Sequence, residues 1–436
     1  MGRPSVLLIS TSGSGGGAAL VAAQMHRGFL KRGYFSRLVV GREPIDTSNC
    51  IVLPALDGRH RDFLRRQEWQ IRSSPWGRAL GALMRPRGAW QRFRGWVDTD
   101  FPESRHLVKL ADSCDVVIVH NVHGQYLDYR ILAEIGRRKP VLCMLHDCWW
   151  FTGICSHPFG CLGYRSACGQ CPLFEGRRWR DQTRRNFVQR LDLVERGRLH
   201  ALAPSRWIFE KMQESAVGRA FASRHLLHNS VDTDFWSPGH VSRLELGLPE
   251  SGLCLLAAGA NYSRNSAKGW PHLLKAWLSV REQLPHPRKL VVLGFDEPVN
   301  GLPDVIALPF THDAKRSRDY FRACDAFVHL AEVENCPLVL LEALASGLPI
   351  VASNRGGIPE ILEGVGEVVE LEQPAQITRA LLALGDAQDR GRRQEAGRRH
   401  ALQSFAEEDW FSSLEELLAD LLGGQAFQTE PGRPEE

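Results

Sequence analysis

Short apolar runs alternate with helical stretches in two successive series, and this rhythm restricts the fold more than any other feature of the chain. The first series is residues 6–10, 38–41, 115–120, 141–145 and 201–204; the second is 253–259, 289–294, 305–308, 326–330 and 350–352. Strands this short and this apolar are covered on both faces, and helical crossovers between them impose parallel pairing. Two such series in 436 residues predict two doubly wound α/β domains with a cleft between them. The stretch 228–238 has few regular signals and ends in proline, so it reads as the connector. One domain then covers 1–230 and a second covers 236–400. An acidic amphipathic helix lies within 401–422, and the polar stretch 423–436, with two prolines, reads as disordered.

In such domains ligands gather where strands end and helices begin. Three segments of this chain stand there. The first is Glu334-Asn-Cys-Pro-Leu-Val-Leu-Leu-Glu342, directly after the apolar run 326–330. Pro337 fits the first helical position, where its missing N–H costs nothing, and Gly347 fits the C-terminal cap. The helix is therefore expected over about 337–346. Glu334 falls at the strand end and Glu342 more than a turn into the helix, with the positive helix end between them. Carboxylates accept from vicinal hydroxyls and helix amides attract phosphate, so this segment can hold a sugar, a ribose and a phosphate together.

The second segment is Gly259-Ala-Asn-Tyr-Ser-Arg-Asn-Ser-Ala-Lys-Gly269, between a strand and a helix. Lys268 can neutralise charge developing on a departing diphosphate; a surface lysine ahead of a helix would read the same way. The third is Ser12-Gly-Ser-Gly-Gly-Gly17, which joins the first strand to a helix over 18–31. Its glycines let backbone approach a phosphate, although a tight turn needs the same residues. His120 ends a strand and is a candidate donor to a ligand, followed by His123 and Asp147. Two Asp-Thr-Asp triplets, at 98–100 and 232–234, could suggest a metal, but neither ends a strand of the expected kind.

Together these segments resemble the retaining glycosyltransferases of family 4, which have the GT-B fold. The resemblance covers most of residues 6–375 and is strongest at 115–172 and 325–360. It implies an α/β architecture of two Rossmann-like domains facing a central cleft. The first would lie on the acceptor side, the second would bind the nucleotide sugar, and a C-terminal helix would cross back. It also implies transfer from a nucleotide-diphosphate sugar to a glycan or lipid-linked acceptor, with retention and with no cofactor. By match, Glu334 and the amides of Asn335 and Cys336 would hold the donor sugar, and Glu342 the ribose. Lys268 would meet the diphosphate, and His120 the sugar. Gly15, Gly16 and Gly17 would line the cleft near the diphosphate and the acceptor. The family's arginine, commonly five residues before the lysine, is replaced here by Ser263, which makes Arg264 the candidate. Gly-Gly-Ile-Pro-Glu at 356–360 matches a segment near the nucleotide. Two other readings share these residues: a GT-B-fold sugar-nucleotide epimerase, which needs no acceptor, and a non-catalytic, membrane-associated binding protein.

Charge and cysteine content add the remaining expectations. Residues 1–200 hold 31 Lys and Arg against 17 acidic residues, while 201–436 hold 23 against 33. The basic half suits an anionic partner. Residues 58–105 contain 11 arginines with Trp69, Trp76, Trp90 and Trp96, and 176–200 add eight arginines. This composition suits an anionic membrane surface, or a solvated face with tryptophan anchors. No nucleic-acid module surrounds it, so no nucleic-acid partner is expected. No apolar run approaches the roughly 18 residues of a membrane span, and the N-terminus reads as a first strand. The expected location is the cytoplasm, peripheral at the inner membrane face. Of 11 cysteines, Cys155, Cys161, Cys168 and Cys171 crowd one glycine-containing loop, a candidate structural zinc site; reduced thiols packing the loop are the alternative. With His146-Asp-Cys-Trp-Trp-Phe-Thr-Gly, this cluster resembles a family 4 subgroup of exopolysaccharide and surface-glycan assembly.

Overall fold

The computed structural model describes residues 3–47, 49–53, 86–97, 99–124, 126–295, 297 and 301–423. Most of the basic arm, Asp98 and the expected disordered tail beyond 423 lie outside these residues. The chain divides into two compact units. One comprises Met1–Ala203, Ile208–Leu226 and Leu414–Glu436; the other comprises Pro204–Trp207 and Leu227–Ser413.

The first unit carries a seven-stranded sheet. Its strands are β1 (Val6–Ser12), β2 (Ser36–Arg42), β3 (Cys50–Val52), β4 (Val116–Val119), β5 (Val141–Met144), β6 (His200–Ala203) and β7 (Arg224–Leu226). They lie in the order β3-β2-β1-β4-β5-β6-β7, all parallel. The second unit carries six: β8 (Leu253–Ala258), β9 (Arg288–Leu293), β10 (Val305–Leu308), β11 (Ala326–His329), β12 (Ile350–Ser353) and β13 (Glu367–Val369). Their order is β10-β9-β8-β11-β12-β13, again all parallel. The continuous apolar runs have a physical cause. Along β8, Cys254, Leu256 and Ala258 join one core cluster, while Leu253, Leu255 and Ala257 join the other. Both sheet faces are covered, so period-two alternation disappears. Each buried leucine or valine contributes about 1.5–3 kcal/mol.

Each sheet has one switch point, β1/β4 in the first and β8/β11 in the second, where neighbouring crossovers leave in opposite directions. Loops there splay apart and leave a crevice at the strand C-termini. All three segments singled out in the sequence leave strands at a switch point.

Several boundaries differ from expectation. The helix after β11 is Leu338–Ala345, and Pro337 is its N-cap, with extended backbone, and not its first residue. Its end follows the sequence: Gly347 has φ 76°, and the amides of Gly347 and Leu348 return to Leu344 and Ala343. The C-terminal helix starts at Glu407, because Phe405 and Ala406 leave helical conformation to bridge Val231. It runs to Leu421 and passes from the second unit's residues into the first's. Within the first unit, the Tyr34 hydroxyl donates to its Glu415 at 2.7 Å. In the segment read as connector, Asp232 accepts the amides of Asp234 and Phe235, a local turn that accounts for the second Asp-Thr-Asp.

Candidate active site

The candidate residues form two groups, one in each unit. In the second unit, the loop after β8 is fixed by close backbone contacts. Tyr262 N–H donates to Gly294 O, and Glu332 N–H donates to Ala267 O, which ties the loop to the segment after β11. Gly269 has φ 73°, and a Cβ there would lie 1.7 Å from Leu330 O, so only glycine fits. Asn265 caps the short turn Ser266–Lys268 by accepting Ala267 N–H. These contacts deliver the Lys268 ammonium to Glu334, with Nζ 2.6 Å from Oε1.

Glu334 is four-fifths buried. Burial alone would raise its carboxyl. The Lys268 ammonium and the His329 ring outweigh that and hold it well below the usual carboxylate range. His329 ends β11 with no exposure, its Nε2 3.6 Å from Glu334 Oε1. Neither of its ring nitrogens has a hydrogen-bond partner among the described residues, and the same holds for the buried Tyr262 hydroxyl and Ser263 Oγ. Orphaned polar groups such as His329 and Tyr262 beside one ion pair are costly in a finished core but useful where a polar ligand completes them.

The backbone after Glu334 is held from the 356–360 segment. Gly357 N–H donates to Glu334 O, and a Cβ on Gly356, at φ 62°, would strike that same oxygen at 1.7 Å. Asn335 accepts from the Ser205 hydroxyl through Oδ1, and Cys336 O accepts from Asn229 Nδ2 at 3.0 Å. Glu360 accepts the amides of Arg206 and Trp207 and pairs with His228 at 2.9 Å. Its role is to brace the chain. Glu342 differs from its neighbours. Burial pushes its carboxyl up to about 7, and no charge or hydrogen bond offsets that among the described residues. Arg264 takes no part in this group; its guanidinium is two-thirds exposed, 3.4 Å from Glu297.

In the first unit, His120 directly follows β4 and is fully buried. Its Nδ1 lies 2.8 Å from Nε2 of His146, with the rings stacked. Burial and the adjacent His146 push it well below the ordinary histidine value, so it is neutral near pH 7. Its Nε2 has no partner among the described residues. His123 Nε2 meets Asp147 Oδ2 at 2.8 Å, while Asp147 Oδ1 accepts Trp149 N–H. Against the glycine loop after β1 lies a residue the sequence reading missed. Glu43 accepts from the Ser12 hydroxyl at 2.6 Å, and its Oε2 would lie 3.1 Å from a Cβ on Gly15. At Gly16 and Gly17 an added Cβ meets nothing within 4 Å. The four clustered cysteines line one cavity of about 510 Å³. Among the described residues, no group of three or more His, Cys, Asp or Glu side chains stands ready to hold a metal ion. None of the described helices is long and apolar enough to cross a membrane.

Residues 254–386 match the family described as glycosyl transferases group 1. The matched stretch takes in both Lys268 and Glu334. The chain is 23% identical to WcaC of Escherichia coli K12, named as a colanic acid biosynthesis glycosyl transferase, over 83% of this chain and 86% of WcaC. It is 30% identical to a Streptomyces griseus D-inositol 3-phosphate glycosyltransferase, over 38% of each chain. Among solved structures, sucrose-phosphate synthase from Thermosynechococcus elongatus aligns with TM-score 0.66 and 16% identity, over 97% of this chain and all of that one. Anabaena HepE, solved with UDP and glucose, aligns with TM-score 0.65 and 15% identity, over 96% and 100%. At these identities the likeness establishes the fold, which is GT-B.

Proposed function

We propose that the protein is a family 4 glycosyltransferase. It would move a sugar from a nucleotide-diphosphate sugar to a glycan or lipid-linked hydroxyl, with retention, in surface-polysaccharide assembly. The observation that carries this reading is the Lys268–Glu334 ion pair, at the switch point of the segment that matches group 1 glycosyl transferases. An incoming diphosphate is a stronger partner for Lys268 than one carboxylate. It would draw the ammonium away and free Glu334 to accept from sugar hydroxyls. The Leu338–Ala345 helix start adds amides for phosphate, and Glu342, without a partner, would take the ribose hydroxyls. Bond breaking then leaves negative charge on the diphosphate, which Lys268 stabilises. The acceptor oxygen forms the new bond on the face that the nucleotide leaves, and its proton passes to the departing phosphate oxygen. His120, neutral and with no partner at Nε2 among the described residues, suits a sugar hydroxyl. Glu43 beside Gly15 repels phosphate and accepts from hydroxyls, which favours the acceptor at that loop.

The test is a panel of UDP-, GDP-, ADP- and dTDP-sugars, without added metal. UDP-sugars head it because HepE was solved with UDP. One nucleotide should be released slowly, and the release should disappear in Glu342→Ala. Binding of no member would overturn the reading. Conversion of the donor sugar without an acceptor would favour the epimerase, and the anomer of an acceptor product reports retention.

An anionic membrane surface is the second partner we propose. Phe93 and Trp179 are 60% and 62% exposed, with ring centroids 5.8 Å apart, and Arg94 and Arg180 lie over neighbouring tryptophan rings. Exposed aromatics among arginines suit a headgroup layer. Sedimentation with vesicles containing about a third anionic lipid should fall at least fivefold in Phe93→Ser/Trp179→Ser, and with rising salt. Equal sedimentation of both proteins would remove the membrane from the proposal.

A further inference from the structure

The transfer chemistry leaves the cysteine loop unused. Between Phe151 and Pro172 the chain forms one short turn, Gly163–Ser166, and no other helix or strand. Tyr164 is its one large buried side chain, while Phe159 and Leu162 are more than half exposed. A segment this long without a core of its own needs another source of order. Its four cysteines converge on one cavity. A Cβ on Gly163 would lie 3.5 Å from Cys161 Sγ and 4.0 Å from Cys168 Sγ.

Backbone amides are aimed at the sulfurs. Gly163 N–H donates to Cys161 Sγ at 3.5 Å. Gly153 N–H reaches Cys168, and Leu173 N–H reaches Cys171, which also pairs with the Cys155 thiol. Such donors do little for a neutral thiol and much for a thiolate.

Arg190 is the second, independent sign. It is wholly buried, with its guanidinium 3.6 Å over the Trp149 ring. Nη1 donates to Thr152 O, whereas Nε and Nη2 have no hydrogen-bond partner among the described residues. Its field reaches Tyr129, Cys168, Asp147 and Cys155. Tyr129 is neutral, and Asp147 is already engaged by His123 and Trp149 N–H. A buried guanidinium beside the neutral thiols of Cys155 and Cys168 lacks a full counter-charge, a costly arrangement.

We infer that Cys155, Cys161, Cys168 and Cys171 bind one structural Zn²⁺ as thiolates, with Arg190 as the counter-charge of the centre. As the side chains stand, the four are not gathered to hold an ion. Binding removes four protons and draws the sulfurs to about 2.3 Å from the metal. The resulting centre carries two negative charges, and Arg190 offsets one. Cys148–Phe151 joins this loop to Asp147, so the metal would also steady the His123–Asp147 pair.

The test uses the full chain, purified without a polyhistidine tag under reducing conditions and analysed by native and elemental mass spectrometry. One zinc per chain is expected, released when a mercurial reagent titrates four thiols. Cys168→Ser/Cys171→Ser should retain less than a tenth of the zinc. Arg190→Met should release zinc to a chromogenic chelator about tenfold faster at equal chelator concentration. Should the cysteine variant fail to fold, the mercurial titration of the native chain decides alone. A native chain that neither carries zinc nor takes it up after reduction overturns the inference. Iron in place of zinc, or disulfides among these four cysteines in the reduced preparation, overturns it as well.

Discussion

Lys268→Ala should lower kcat by about 10²- to 10³-fold while changing donor KM less than tenfold. Charge on the departing diphosphate is greatest in the transition state, and a preorganised cation there is worth about 3–4 kcal/mol. The variant also strips Glu334 of its ammonium, 2.6 Å away in the native chain. That should cost about 2 kcal/mol of stability, less than a fully buried pair because each side chain keeps about a fifth of its surface. Lys268→Ala/Glu334→Gln separates the two effects. It should recover most of the stability in urea unfolding and none of the kcat. Recovery of kcat in the double variant, or single-variant kinetics near the native values, would mean the ion pair is only structural.

Glu342→Gln should show its effect through pH. Burial, with no partner among the described residues, pushes the folded carboxyl up to about 7, against 4.5 for an ordinary glutamate. The folded state therefore holds the proton more tightly, and the stability this provides is lost as pH rises from about 4.5 through 7. The loss is on the order of 3 kcal/mol by pH 8, and Glu342→Gln should not suffer it. Donor binding runs the other way, because ribose hydroxyls need the ionised acceptor. At pH 8 the substitution should weaken donor binding by about 100-fold. At pH 6 the native carboxyl is mostly protonated, and the difference should shrink about tenfold. Calorimetry at both pH values measures it. A pH-independent difference would show that Glu342 does not titrate in this range or does not meet the donor.

Several elements were legible because they depend on residues close in sequence. Pro337, Gly347 and the apolar run between them specify the Leu338–Ala345 helix and its cap. The missed strands, β3, β7 and β13, are three residues each. They lie at or near sheet edges, where pairing with a longer neighbour decides the conformation and three residues carry no period. Glu334, Lys268 and His120 could be singled out because each stands at a strand end or beside a glycine loop. Arg264 was favoured for its adjacency to Ser263, yet the turn through Asn261, at φ 54°, leaves its side chain largely in solvent and buries the Ser263 hydroxyl.

By itself, then, the sequence determined the two parallel α/β series, the glycine and proline boundaries, and the residue types gathered at strand ends. These follow from hydrophobic run length and local dihedral preference, which act over a few residues. Tertiary structure alone decided the partners. It paired Lys268 with Glu334 across 66 positions and seated His329 beside them. It left Glu342 without a partner among the described residues, put Glu43 against the glycine loop and buried Arg190 beside Cys155 and Cys168. Electrostatic partnership depends on distance through space and on loss of solvent, and neither is encoded in spacing along the chain.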